Sequence, residues 1–577
     1  MNALPSAGIV RVHAHGMQWL TTADFADALP KLDIEKARHP ERLSEAEFVK
    51  DNTVRTVMRV AHPSAPDGRR LYIKRFKFKN LRRKLRHLVM PTQAEHEWRI
   101  GRALQRDGIP TCRVLAMACR RGVVFHQEAF LVSEEIRETV PLALHFASPG
   151  PEPLQPGDRK QLIEELAALV VRLIGAGYYH CDLHAGNVLI APHRPVGERL
   201  FVLDLHSIRS GRPTRRRVLR MLAFLADSSQ RSGTGNTDRV RFLRALVKGR
   251  AEAGRPAPGT LRDWAMWAKA AWEQHRRRHV RSRTRRCLLE SKEFTRDRAP
   301  GYRVMRRREF PLEEALATAR AHEEAIAGRA GCCEIRKKGP RTEVTICPCR
   351  TAGAVCVKAF LRSGFSERLK DLFRPRSRAR AAWIAHRGLR VRGLPAARGL
   401  ALLEAGAKLS GRPDYLIMEA LEVDGNLQEM ACTRLAGSQQ SDRPLLTAEQ
   451  RRELILAVAD LFRLMAEKQV EHPDMKPSNI LVATDAGRVR LWLVDLDRLR
   501  FEERWERKQW VQHLAKCDAG LPAQVTLLER MRCLRECGRG RWTPAQRGEI
   551  ARAVRECSLM RNPAWGSGWP GGHLSDA

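Results

Sequence analysis

His180-Cys-Asp182-Leu-His184-Ala-Gly-Asn187 runs through Val188-Leu-Ile190 and a turn into Leu200-Phe-Val-Leu-Asp204-Leu-His206. A lone Asp or Asn most often caps a helix or closes a turn. Here two acids and an amide flank two short apolar runs of strand character, which gathers them at strand ends. Such a set offers carboxylate and amide oxygens to a hard cation and leaves a second carboxylate for a proton. The pattern returns as His472-Pro-Asp474-Met-Lys476-Pro-Ser-Asn479-Ile-Leu-Val482, followed by Leu491-Trp-Leu-Val-Asp495-Leu-Asp497. Asp and Asn are 5 apart in both copies (187 − 182 and 479 − 474), and the two Asp are 22 and 21 apart (204 − 182 and 495 − 474). Chance does not supply two such copies; the chain is a tandem.

This is the order in which kinase-fold enzymes hold a catalytic carboxylate and Mg2+ around ATP phosphates. Asp182 is then the residue that accepts or orients the proton of a substrate hydroxyl, Asn187 and Asp204 are metal ligands, and His180 braces the loop. Asp474, Asn479 and Asp495 are their counterparts, with Lys476 placed to reach a γ-phosphate. Upstream, strands are expected over Thr53–Val60 and Arg70–Phe76 around a turn at Pro63–Gly68. Alternation puts Tyr72 and Lys74 on one face. In a chain this basic a strand lysine is ordinarily solvated, but Glu97 follows in a helix expected over Gln93–Gln105, and a strand lysine paired with a helix carboxylate aims its ammonium at the α- and β-phosphates. Val355-Cys-Val-Lys358-Ala-Phe repeats the strand, and Trp383–Pro395 matches Trp98–Pro110, so Ala382 stands where Glu97 does. The second copy lacks the partner for Lys358. No G-x-G-x-x-G precedes Lys74; the turn there is Lys50-Asp-Asn-Thr53, so phosphates must be covered by a loop with less glycine.

Phe130–Ile136 reads as a buried strand entering a hinge. The helix from Gly157 carries Leu162, Leu166, Leu169 and Leu173 on one stripe and delivers the catalytic loop. Thr447-Ala-Glu-Gln450 is a capping box opening the equivalent helix of the second copy. The expected fold is α+β: two tandem protein-kinase-like domains, each with a small β-rich N-lobe and a mostly helical C-lobe. The expected divisions are an N-terminal extension over 1–45 with a short helix at Thr22–Leu32, a first domain over 46–278, a second over 279–565 and a disordered tail over 566–577. The second domain is expected to open with a hairpin of Arg286–Glu290 and Tyr302–Arg306, then a helix from Pro311 to Gly328.

Lys74, Glu97-Trp98 with Asp107-Gly-Ile-Pro110, the H-x-D-L-H-x-G-N loop and Leu203-Asp-Leu-His206 together resemble the lipopolysaccharide core kinase (Kdo/WaaP) family, over roughly residues 45 to 275 and less closely beyond. The resemblance implies a two-lobed kinase fold, ATP and Mg2+ as cofactors, and phosphorylation of a Kdo or heptose hydroxyl in the lipopolysaccharide inner core. It also implies a lipid-linked sugar acceptor met at the cytoplasmic face of the inner membrane. Cys181, where many protein kinases carry an arginine that reads a phosphorylated loop, and Leu205-His206, where they carry Phe-Gly, point away from ordinary protein kinases.

The 577 residues carry 104 Lys and Arg against 65 acids, a formal charge of +39, so the surface attracts polyanions. The basic residues are scattered in short clusters, which argues against a nucleic-acid module and leaves peripheral contact with an anionic membrane. No signal peptide or long apolar run is evident, so a cytoplasmic location is expected. Fourteen cysteines without a secretion signal suggest reduced thiols, and Cys332, Cys333, Cys347 and Cys349 have poor spacing for zinc. Two rival readings remain: a serine/threonine protein kinase, favoured by His472 to Asn479, and a pseudokinase scaffold that binds nucleotide without transfer, favoured by Ala382 and the missing glycine loop.

Overall fold

The computed structural model describes residues 8–562 except 66, 79–80, 148–154, 232, 255–257, 330–331, 363–375, 407–410, 434–445, 486–487, 502–503 and 523. The expected tail over 566–577 lies outside the described residues. The chain divides into two compact units, Met1–Arg276 and Arg277–Ala577.

In the first unit the strands β1 (Ile9–Ala14), β2 (Met17–Thr22), β3 (Phe48–Asp51), β4 (Arg55–Ala61), β5 (Arg70–Lys77), β6 (Val114–Arg121) and β7 (His126–Glu134) form one sheet in the order β1-β2-β6-β7-β5-β4-β3. Residues 9–22, expected to lie outside the folded domain, are therefore part of its sheet. His15 and Gly16 both take positive φ, the two-residue hairpin turn whose twist matches the strands. In place of the helix expected at Thr22–Leu32 are short 3-10 turns at Ala23–Phe25 and Leu29–Lys31. Pro30 enters the second of these at its start and cannot donate the hydrogen bond that would extend it backwards. Their Phe25 and Leu29 are buried against Trp19, Ile73 and Phe130 on one face of the sheet.

The second unit repeats this sheet strand for strand. Phe294–Ala299, Tyr302–Arg307, Gly399–Ala405, Asp414–Glu419, Gly353–Phe360, Thr342–Cys349 and Glu334–Lys338 follow one another across it. Its hairpin pairs Phe294–Ala299 with Tyr302–Arg307, whereas Arg286–Leu288, expected as the first strand, is a 3-10 turn. The expected helix appears as Leu312–Ile326 with Pro311 as N-cap. Cys333 and Cys347, expected to be reduced, are joined as a disulfide, and the other twelve cysteines are free. The reason is local: Glu334 pairs with Ile346, so the residues just outside that pair face each other.

Each sheet is followed by a mainly helical lobe, which makes both units α+β and kinase-like. The helix Pro156–Gly175 buries Leu162, Leu166, Leu169 and Leu173, and the helix Ala448–Glu467, opened by the Thr447–Gln450 capping box, buries Leu454, Val458, Leu461 and Met465. Each such leucine contributes on the order of 2 kcal/mol. Both helices end just before a catalytic-type loop, so their packing fixes where that loop emerges.

Two buried histidines couple the second unit to pH. His386 Nδ1 lies 2.9 Å from the Ala397 carbonyl and His513 Nδ1 lies 2.7 Å from that of Gln509, and burial pushes both down to about 4. Each is neutral when folded but titrates near 6.5 when unfolded, so the stability it contributes is whole above about pH 6.5 and lost as pH falls toward 4. At pH 5 the loss is about 2 kcal/mol for each histidine. The urea midpoint of the chain should fall between pH 7.5 and pH 5, and by less in His386→Gln and His513→Gln; equal falls in wild type and variants would show that these rings do not titrate with unfolding.

Candidate active site

In the first unit, Lys74 reaches from the centre of β5 to Glu97 on the helix Gln93–Arg106, with Nζ 2.8 Å from Oε2. That helix starts at a Thr92–Glu95 capping box, and Glu97 is fully buried, one turn inside it. Burial works against the ammonium, but the carboxylate beside it outweighs that and holds Lys74 above the ordinary lysine value. Among the described residues the other oxygen of Glu97 has no hydrogen-bond partner, and the ion pair is the carboxylate's one side-chain tie.

The catalytic-type loop is braced by His180. Its Nε2 donates to the Leu203 carbonyl at 3.0 Å and its Nδ1 accepts from the Asp182 amide at 3.1 Å, the pattern of a neutral ring. Burial keeps it neutral. Asn187 Nδ2 donates to the Asp182 carbonyl at 3.0 Å, which leaves the amide oxygen available to a cation. Asp182 itself has a half-exposed side chain, with His184 at 4.0 Å.

Asp204 sits at φ 63°, ψ 53°, a left-handed position that Asp tolerates better than most residues. His206 Nδ1 is 2.6 Å from one oxygen, and Ser207 Oγ donates to the other at 3.0 Å. Burial alone would raise this carboxyl, but His206, Ser207 and the charge of Arg55 hold it well below the usual carboxylate range. Lys74, Asn187 and Asp204 line one cavity of about 1140 Å3, which extends past Ser133 to Val140. A deprotonated carboxylate and an unengaged amide oxygen suit Mg2+, a cation that takes few protein oxygens and keeps the rest of its shell for water and phosphate.

Arg55 is the site residue that sequence reasoning missed. Val57 pairs with Lys74 and Arg55 with Phe76, and directly opposed residues share a face. Arg55 therefore stands on the cleft face, lines the same cavity and makes no ion pair among the described residues. Its turn is fixed by Asn52, whose Oδ1 accepts from the amides of Val54 at 2.9 Å and Arg55 at 2.8 Å. Following the Lys74 alternation back through the hairpin would have found it.

The second unit keeps the scaffold and changes the pairing. Asp495 has the same left-handed backbone (φ 60°, ψ 52°), His472 Nε2 lies 2.9 Å from the Val494 carbonyl, and Asn479 Nδ2 donates to the Asp474 carbonyl at 2.7 Å. Ala382 is buried on the helix Arg378–Arg392, and Lys358 Nζ has gone instead to Asp495 Oδ1 at 2.6 Å. Burial would raise the Asp495 carboxyl, but Lys358 holds it below its ordinary value. Lys476, expected to reach a γ-phosphate, places its Nζ 3.0 Å from Asp474. Val344 pairs with Lys358 and Thr342 with Phe360, which puts Thr342 where the first unit has Arg55.

The lipopolysaccharide kinase (Kdo/WaaP) family matches residues 42–246 and again 351–517. A curated relative, the lipopolysaccharide core heptose(I) kinase WaaP of Pseudomonas aeruginosa, is 29% identical over 197 residues, covering 33% of this chain and 70% of its own length. Among solved structures, WaaP in complex with acyl carrier protein is similar at 25% identity with a TM-score of 0.33, covering 44% of this chain and 100% of that one.

Proposed function

Because the chain belongs to the lipopolysaccharide kinase (Kdo/WaaP) family, and so is a kinase, we propose that its first unit transfers the γ-phosphoryl group of ATP to a sugar hydroxyl of the lipopolysaccharide inner core. The observation that carries this is the Lys74–Glu97 pair at 2.8 Å opening into the cavity that Asn187 and Asp204 also line. Lys74 takes the α- and β-phosphates, and Arg55 covers the triphosphate in place of a glycine-rich loop. Asn187 and Asp204 would hold Mg2+, which would supply positive charge against the phosphates. Asp182 orients the acceptor hydroxyl and takes its proton as the oxygen bonds to γ-phosphorus. The bond from that phosphorus to the bridging oxygen breaks, and ADP departs with the electron pair. The residues act mainly by positioning and by placing fixed charge where charge shifts.

The acceptor is an inner-core heptose or Kdo; the heptose(I) activity named for the Pseudomonas relative favours heptose. No described helix is long and apolar enough to cross a membrane. A charge of +39 supports peripheral attachment to the anionic cytoplasmic face of the inner membrane, where each nearby cation adds about 1 kcal/mol.

The second unit supports a different reading. Lys358 bound to Asp495, Ala382 in place of Glu97 and Thr342 in place of Arg55 favour a scaffold that transfers no phosphate.

Labelled ATP offered with purified core glycolipid or with a protein extract separates the readings. Label is expected in the glycolipid. Label in protein alone would favour a protein kinase, and nucleotide binding without turnover would favour a scaffold throughout.

A further inference from the structure

The first unit holds a further cavity, of about 400 Å3, between the end of β5, the helices Leu81–Val89 and Gln93–Arg106, and the segment after Asp204. Lys77, Arg86, His87, His96, His206 and Arg209 line it, and no acidic side chain does. Lys77 is paired with Asp51 at its margin. Arg86 is exposed, and neither Arg86 nor Arg209 meets a carboxylate among the described residues. Arg209 donates to the carbonyls of His206 and Ile208, while its Nη1 stands 2.7 Å from His96 Nε2, itself 2.9 Å from the Ile208 carbonyl. Arg209 and the His96 ring thus meet at the Ile208 carbonyl, and the pocket's fixed positive charge lies on Arg86, Arg209 and Lys77. Gathering cations in a pocket costs Coulomb energy that an anion would offset.

We propose that this cavity is a binding site for a phosphate group. A tetrahedral oxyanion accepts several N–H donors at once, and an arginine engages it through two parallel hydrogen bonds. The walls give the site a consequence. His206 touches Asp204 at 2.6 Å, and His96 immediately precedes Glu97 on its helix. An anion bridging His96, His206 and Arg209 ties the helix that anchors Lys74 to the segment that carries Asp204. The phosphate is either free in solution or borne by the acceptor, in which case a core already phosphorylated elsewhere would help assemble the cleft. The acceptor alternative rests on the function proposed above; the site itself does not.

The test titrates inorganic phosphate into the full chain while saturating Mg2+ and a non-hydrolysable ATP analogue fill the larger cleft, reading thermal unfolding. Wild type should gain stability with phosphate. Arg86→Gln and Arg209→Gln should need at least about tenfold more phosphate for the same shift, as expected when a charge-assisted hydrogen bond is lost, and should keep the full shift from the analogue. Arg86 is exposed on its helix, so its replacement leaves the fold intact even if that of Arg209 does not. No phosphate response in wild type, or equal responses in wild type and Arg86→Gln, would overturn the site. A second arm compares core glycolipid before and after phosphatase treatment. A KM that rises on treatment in wild type but not in Arg86→Gln assigns the phosphate to the acceptor. Unchanged KM values, with free phosphate raising turnover, assign it to solution and overturn the acceptor alternative. If no glycolipid is labelled, the proposed function fails while the titration still decides the pocket.

Discussion

Asp204→Asn and Asp182→Ala are each expected to lower kcat by at least about a hundredfold, the scale for removing one preorganised electrostatic contact to a developing charge, while leaving the fold intact. Asn is the mildest replacement at residue 204, because it too accepts left-handed backbone and can keep an oxygen toward Ser207 Oγ. What it loses is the charge that His206, Ser207 and Arg55 hold in its ionised form. Asp182 is half-exposed and among the described residues carries no ion pair beyond a 4.0 Å approach of His184, so its truncation tests chemistry rather than packing. Steady-state turnover with unchanged circular dichroism is the measurement. Near-normal kcat in either variant would remove the mechanism. The matching changes Asp495→Asn and Asp474→Ala should leave overall turnover within about twofold, since neither residue would then face a transition state.

Glu97→Ala should have the next largest effect, and the chain's own second unit indicates its form. With alanine at the equivalent position, Lys358 has crossed to the metal-type aspartate at 2.6 Å. Lys74, whose side chain keeps some exposure, should likewise swing to Asp204 rather than remain unpaired. That spares much of the 3–5 kcal/mol that an abandoned buried charge typically costs. It also places an ammonium where the cation should sit. Turnover should fall by roughly a hundredfold, near 2.7 kcal/mol of transition-state stabilisation, and the apparent affinity for Mg2+ should weaken. A variant that unfolds, or one with normal metal dependence, would contradict this account of what the pairing does. Ala382→Glu poses the converse question to the second unit.

The loop motifs were legible because their chemistry needs specific residue types at fixed spacing, and a second copy supplied an internal control. Trp98 and Trp383 align the two helices and expose the loss of the carboxylate from spacing alone. What sequence reasoning missed depended on pairing across strands. The β1–β2 hairpin was hidden because Ile9–Ala14 is mostly exposed and its turn, His15-Gly16, is short; its place in the sheet depends on β6, almost a hundred residues away. Arg55 became a cleft residue only once Val57 was set opposite Lys74. The Cys333–Cys347 bond likewise follows from register and not from spacing. The basic cavity beside His206 draws its walls from separate segments, none of which is unusual alone in a chain with 104 basic residues.

The mechanism requires one cleft, in the first unit, to assemble the nucleotide and its metal. A crystal structure of the chain with Mg2+ and a non-hydrolysable ATP analogue tests it most directly. The metal is expected on Asn187 and Asp204, with Lys74 still on Glu97 and reaching the α- and β-phosphates. A metal held by Asn479 and Asp495 alone, or a nucleotide bound away from Lys74, would contradict it.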